Sequence, residues 1–221
     1  MPKTEFNHTI EDYLRAAYRV EERDGTVINA AIARELSVSP AAVSEMIRKM
    51  AGMKLLSYRK YHGSKLTAKG RTEAIAITRR HRLWEVFLID RLEFGWDQVH
   101  DLADRLEHIR SDELINRLDD YLGNPSHDPH GDPIPTREGA IVERALTAIV
   151  EMWGTGGGVV RRVSDEYPEL LRYAASLGLA IGARVDVIER IAFDGSVRLL
   201  ANGVEAVISE KLAESVFVEI L

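Results

Sequence analysis

In the first seventy residues apolar positions recur in short blocks at helical spacing. Ile10, Leu14, Ala17 and Tyr18 step by three and four residues. That spacing predicts an amphipathic helix from about Thr9, with Thr9 as N-cap and Asp12 completing an imperfect capping box, to Arg23 before Asp24-Gly25. A short helix over Ala30–Leu36 comes next. Ser39 then reads as the cap, and Pro40 as the first residue, of a helix reaching about Met53. Leu56–Leu66 reads as two short strands around His62-Gly63-Ser64. Thr67 or Lys69 opens a long helix to about Leu92, Asp97 caps one running to Ile109, and Ser111 caps one to Leu122. Asn124–Gly139, with four prolines and two glycines, is the clearest loop.

Beyond the glycines of Gly154–Gly158 the helical pattern gives way to short strand-like runs: Val159–Val163, Arg184–Ile191, Val197–Leu200, Val204–Ile208 and Val216–Leu221. Asp194-Gly195 and Asn202-Gly203 carry hairpin-turn chemistry, and Pro168–Leu177 is a helix within this set. The expected fold is mainly α with a small β-barrel, divided as residues 1–70, 71–139, a linker over 140–157, and a barrel over 158–221. There is no internal repeat and no low-complexity tract.

Composition narrows the chemistry. The 221 residues contain no cysteine, which excludes disulfides, thiolate metal sites and iron–sulfur clusters, so any metal must sit on nitrogen and oxygen. No stretch of 18 uncharged apolar residues exists and no apolar leader opens the chain, so the expectation is a cytoplasmic protein with no membrane partner. The net charge of −6 is unevenly spread. Residues 37–70 hold seven lysines and arginines against the single acid Glu45, while residues 96–139 hold eleven acids against four arginines. The first segment suits phosphates and the second suits cations.

Within the basic segment, Ile32, Leu36, Val43, Ile47 and Met50 form a buried stripe, with the small Ala33 where two helices cross. Ser37, Ser39, Ala41, Ala42, Ser44 and Glu45 are left facing outward, and Arg48 and Lys49 follow within a turn. Small or polar residues at the start of a helix let its backbone approach base edges. The hairpin after it carries Arg59, Lys60 and Lys65 among aromatic rings, a basic wing placed for phosphate contact. A helix, a tight turn, a helix and a basic hairpin together read as a winged helix-turn-helix that binds double-stranded DNA.

On the predicted helix from Trp96, steps of about 100° per residue bring His100, Asp104, Glu107 and His108 into roughly a 100° arc. The long helix before it adds His81 and Glu85 at i, i+4, where two side chains can meet one ion. Six ligand-type residues on two helices point to a divalent cation. A metal-dependent hydrolase is the enzymatic alternative, but the chain has no His-Glu-x-x-His, no Gly-x-Ser-x-Gly and no phosphate-binding loop. A winged-helix regulator answering to an organic ligand is the other alternative, separable by chelator sensitivity.

The order of winged helix, helical cation-binding segment, Pro-rich loop and small barrel resembles the diphtheria toxin repressor family of metal-dependent transcription regulators. The resemblance rests on Glu11-Asp12-Tyr13-Leu14-Arg15, Arg80-His81-Arg82-Leu83-Trp84-Glu85, the run from Val99 to His108, and His130-Gly131-Asp132-Pro133-Ile134-Pro135. It implies a homodimer on a palindromic operator, two metal sites per subunit and an SH3-like C-terminal module. It implies a primary site of Asp12, Asp104, Glu107 and His108, and an ancillary site of His81, Glu85 and His100 completed by Asp165 and Glu166, with Glu169 as a rival. Oxygen at Asp12 and Asp104, where iron-sensing members carry methionine and cysteine, favours Mn(II) over Fe(II), with Zn(II), Co(II) or Cd(II) as surrogates. Arg15 stands where small manganese regulators supply a glutamate to a paired-ion site; as it cannot ligate, separated single-ion sites are implied. The expected switch is electrostatic: metal-free, Asp12, Asp104 and Glu107 repel one another, and an ion replaces that repulsion with shared coordination.

Overall fold

The computed structural model describes residues 7–59, 63–152, 156–165 and 167–221. The chain folds into two compact units, one of Met1–Trp84, Ala103–Leu118 and Pro135–Ala140, the other of Glu85–Leu102, Asp119–Ile134 and Ile141–Leu221.

The first unit opens with α1 (His8–Asp24), capped by Asn7, whose side chain accepts the Ile10 amide at 3.0 Å. The cap is therefore not Thr9. Asn7 keeps an extended backbone while Thr9 is already helical. At the other end Gly25 takes φ +71° and closes the helix on the Glu21 carbonyl. α1 is buried on more than its apolar stripe, since Glu11, Arg15 and Glu21 are buried along with Leu14 and Ala17.

Helices α2 (Asn29–Glu35) and α3 (Pro40–Gly52) enclose a turn in which Ser37 is left-handed, and Ser39 caps α3 by accepting the Ala42 amide. β1 (Leu56–Arg59) pairs antiparallel with β2 (Gly63–Leu66), Leu56 facing Leu66. Thr67, as expected, starts α4 (Ala68–Asp90), its hydroxyl accepting the Gly70 amide. A Cβ at Gly70 would lie 2.0 Å from the Leu55 carbonyl oxygen, so only glycine lets α4 start this close to the strand.

α5 spans only His100–Leu106, shorter than the helix expected from Asp97 to Ile109. Asp97 does not cap it; its carboxylate accepts a hydrogen bond from Arg172 at 3.0 Å. The Glu107 amide still donates to the Ala103 carbonyl at 2.8 Å, so the last turn carries Glu107 just past the helix. α6 (Asp112–Tyr121) is capped by Ser111.

The second unit carries a six-stranded antiparallel sheet in the order β3-β8-β4-β5-β6-β7. Its strands are β3 (Thr147–Ala148), β4 (Gly157–Val163), β5 (Arg184–Arg190), β6 (Val197–Ala201), β7 (Val204–Ile208) and β8 (Val216–Ile220). A 3-10 turn (Ile149–Glu151), α7 (Pro168–Ser176) and α8 (Glu210–Ser215) complete it. Val160, Leu171, Val185, Leu199, Ile208, Leu212 and Val218 are among its core. Asn202 and Gly203, both at positive φ, make the tight β6–β7 turn. Asp194-Gly195 does not make a two-residue turn. β5 and β6 are joined by residues 191–196, where the Asp194 carboxylate accepts both the amide and the hydroxyl of Ser196. β3 and α8 are short pieces that the sequence pattern did not resolve. Among the described residues no helix is long and apolar enough to cross a membrane.

Candidate metal centres and nucleic-acid interface

α3 turns Val43, Ile47 and Met50 inward and leaves Ala41, Ala42, Ser44, Glu45, Arg48 and Lys49 exposed, as are Ser37 and Ser39 before it. Ser44 donates to the Pro40 carbonyl at 2.9 Å and Arg48 to the Ser44 carbonyl at 3.3 Å, so the outer face is ordered by local bonds. Leu36, expected in the buried stripe, is half-buried. Lys65 is exposed on β2, and Arg59 contributes backbone to β1. Lys60 lies outside the described residues.

In the first unit, ligand atoms of Asp12, Glu107 and His108 lie within 4.8 Å of one another. Glu107 is fully buried, and His108 Nε2 is 3.2 Å from Asp12 Oδ1. Burial raises the Asp12 carboxyl above its ordinary value, opposed by His108, reinforced by Glu107, opposed by Arg15 and reinforced by Asp104. Such a carboxylate gains most when a further cation arrives. The donors are two carboxylates and one imidazole, a set suited to a hard or borderline divalent ion.

The other two predicted residues of this region have different partners. Asp104 is hydrogen-bonded to the Arg15 guanidinium and lies 3.2 Å from His81 Nδ1. Arg15 Nε also approaches Glu107 Oε1 at 3.3 Å, and His81 Nδ1 meets Glu107 Oε2 at 2.8 Å. The expected unopposed repulsion among Asp12, Asp104 and Glu107 is therefore absent. A guanidinium and an imidazole already stand between Asp104 and Glu107. Sequence reasoning also passed over Glu11, which receives His108, Arg80 and Arg110, because charged residues of an amphipathic helix are expected to face solvent.

The second unit holds another cluster. His100 Nδ1 is 3.4 Å from Glu85 Oε1 and 3.5 Å from Asp165 Oδ2, and those three share one candidate group. Glu85 belongs to a second group with Asp128 and His130, all buried. His130 is fully buried: its Nε2 donates to the Trp96 carbonyl at 2.8 Å, while its Nδ1 makes no hydrogen bond and lies 3.9 Å from Glu85 Oε2. A buried ring nitrogen with no hydrogen bond beside a buried carboxylate is an environment a cation would complete. Burial works against His130 protonation, but Glu85, Asp128 and Asp165 outweigh it and raise its pKa.

Asp128 accepts the amides of His130 and Asp132, folding the loop, and a Cβ on Gly131 would fall 1.8 Å from the Arg161 carbonyl oxygen. The Asp-x-His spacing of Asp128 and His130 in the Pro-rich loop is the sequence signal that marks these two donors, which helical or strand periodicity does not reach. Glu166 lies outside the described residues, and Glu169 pairs with Arg172.

Three family profiles match the chain in order. The iron-dependent repressor N-terminal DNA-binding domain matches residues 5–64, the iron-dependent repressor metal-binding and dimerisation domain residues 67–136, and the FeoA domain residues 155–220. The chain is 34% identical to the iron-dependent repressor IdeR of Mycobacterium leprae (strain TN), over 96% of each. It is 30% identical to the diphtheria toxin repressor of Corynebacterium diphtheriae, again over 96% of each. A solved manganese-dependent transcriptional repressor in complex with manganese superposes with a TM-score of 0.89 at 36% identity, covering 96% of this chain and 100% of that one.

Proposed function

The chain belongs to the iron-dependent repressor family, and from that premise we propose that it is a dimeric, metal-dependent transcriptional repressor whose effector is Mn(II). The reading is carried by one observation: α1, which packs into the DNA-binding unit, brings Asp12 within ligand distance of Glu107 and His108. A bound divalent cation supplies the positive charge that these donors share. Asp12, Glu107 and His108 then tie α1 to the turn after α5, and a fixed α1 fixes the helix-turn-helix that follows it in the same unit.

In this reading residues 1–70 read DNA and 71–139 hold metal and pair the subunits, while the SH3-like module expected over 158–221 also takes in β3 and the 3-10 turn over 147–151 from the segment expected to link. Exposed Ile109 and Leu114 in the helical segment support pairing there. Glu85, His100, Asp128, His130 and Asp165 form the ancillary site. Arg48, Lys49 and Lys65 engage phosphates, and Ser39, Ala41, Ala42 and Ser44 approach bases, on operator DNA in the cytoplasm. The absence of sulfur donors from both clusters supports Mn(II) over Fe(II). Because the ion binds the DNA-competent form better, DNA tightens metal binding by the same factor.

The test starts by selecting an operator from a random duplex library with Mn(II)-loaded protein. The metal-free dimer is then titrated with Mn(II), Fe(II), Zn(II) and Co(II) in parallel. Operator binding that requires metal and responds to Mn(II) at least as well as to Fe(II) is expected. Binding indifferent to chelator would overturn metal dependence and favour an organic effector.

A further inference from the structure

Glu11 precedes the ligand Asp12 on α1 and is fully buried. Its Oε2 accepts a hydrogen bond from His108 Nδ1 at 2.7 Å. Its Oε1 accepts two more, from Arg110 Nε at 2.7 Å and from Arg80 Nη2 at 3.1 Å. Arg80 also donates through Nε to the main-chain carbonyl of Glu107. One carboxylate thus joins α1, α4 and the turn that carries two candidate ligands.

Resting on the metal-site reading above, we propose that Glu11 is a positioning residue that sets which nitrogen of His108 is available to metal. A neutral imidazole carries one proton, and the nitrogen without it is the ligand. Glu11 is an acceptor with no proton to give, so it holds the proton on Nδ1 and leaves the Nε2 lone pair directed toward Asp12 Oδ1, 3.2 Å away. The ring plane has a separate support. His8, one helical turn before Asp12, stacks on His108 at 4.1 Å between centroids with 5° between planes. Orientation of the plane and choice of the ligating nitrogen therefore come from different residues, and they can be separated by mutation.

The informative variant is Glu11→Gln. A glutamine has one carbonyl oxygen and one NH₂ where Glu11 has two acceptors. Arg80 and Arg110 supply donors only, so they claim the oxygen and turn the NH₂ toward His108. Facing a donor, His108 Nδ1 becomes an acceptor and the proton moves to Nε2, where it blocks ligation. The ring stays stacked on His8 in the wrong tautomer.

Two readouts follow, both independent of operator binding. Mn(II) affinity, measured from the electron paramagnetic resonance of the free hexaaqua ion, should fall by about 10- to 100-fold in Glu11→Gln, the range for loss of an outer partner of a ligating histidine. Ring ¹⁵N shifts of the metal-free protein, at a pH where imidazole is neutral, should place the His108 proton on Nδ1 in the native chain and on Nε2 in the variant. A variant that binds Mn(II) like the native chain overturns the proposal, and so does one that loses affinity with the proton still on Nδ1, which would make Glu11 a tether for α1 only. If the variant does not fold, the native spectrum decides alone, since a proton on Nε2 there overturns the proposal. A native chain that takes up no Mn(II), whatever its His108 tautomer, would remove instead the metal-site reading beneath it.

Discussion

Both units gather carboxylates and imidazoles; guanidinium groups contact the carboxylates of the first cluster, and histidines and main-chain amides contact carboxylates of the second. In the first, Arg15 and His81 engage Asp104 and Glu107, and Arg80 and Arg110 engage Glu11. In the second, Glu85 meets His100 and His130, and Asp128 spends an oxygen on folding its own loop. A cluster already compensated by movable side chains must rearrange partners to accept an ion, and rearrangement is what a switch requires. In the second cluster Asp128 and the fully buried His130 are held by main-chain bonds, so an ion there adds to donors already set. We read the first as the responding site and the second as a supporting one.

The largest effect expected from this comparison is at Asp12. Asp12→Met keeps Glu107 and His108, removes a hard donor and a charge, and should lower Mn(II)-activated operator binding by more than about 100-fold, beyond the 10- to 100-fold loss of an outer partner. Fe(II) or Co(II) under anaerobic conditions should retain a response through the thioether. Asp104→Cys should do less, because Asp104 is committed to Arg15 and His81. Equal losses from both changes would make Asp104 a ligand on a par with Asp12. Measuring operator binding rather than bare affinity matters here, since Zn(II) can hold either form more tightly than Mn(II).

A smaller effect is expected at the second site. His130→Ala removes the buried Nδ1 and the bond to the Trp96 carbonyl, and should remove one bound ion per chain while weakening operator binding by about tenfold. Its metal stoichiometry, read by equilibrium dialysis, should drop while Asp12, Glu107 and His108 keep their ion. Loss of both ions, or operator binding as weak as in Asp12→Met, would erase the distinction between switch and support.

What the sequence disclosed follows the same divide. The recognition helix was legible because Val43, Ile47 and Met50 recur at helical spacing and Ser39-Pro40 is an unambiguous start. Glu107 and His108 were legible because they share one helical arc with His100 and Asp104, whereas Asp12, which by itself reads as part of a capping box, was reached as a ligand only through the family resemblance. The network behind them was not. Glu11 and Arg15 lie on the charged side of an amphipathic helix, which reads as solvent-facing unless the acids and arginines of α4 and the 107–110 turn are known to cover it. Asp128 and His130 sit in a Pro-rich loop, where no periodicity assigns a facing direction. Asp97 reads as a cap from its residue type alone, yet its carboxylate is taken by Arg172, seventy-five residues away in sequence.

Arg15 offers the finest test of the contrast, because its guanidinium contacts the carboxylates of both Glu107 and Asp104. Arg15→Gln removes one positive charge beside Glu107 and Asp104 while preserving much of the side chain's length. Two consequences of opposite sign follow. The metal-free protein should lose stability, by about 3 kcal/mol, since a guanidinium that contacts both carboxylates is lost and breaking a largely buried ion pair is costly. The metal-bound form should be hurt less, because the incoming dication no longer competes with the guanidinium for Glu107. Mn(II) affinity should therefore rise by about fivefold, roughly 1 kcal/mol, and the increase in melting temperature on adding Mn(II) should be larger than in the native chain. Calorimetric titration and metal-free and metal-loaded melting curves give both quantities from one preparation. A fall in Mn(II) affinity would mean that Arg15 holds Glu107 in its ligating pose, and the first cluster would then be as preorganised as the second.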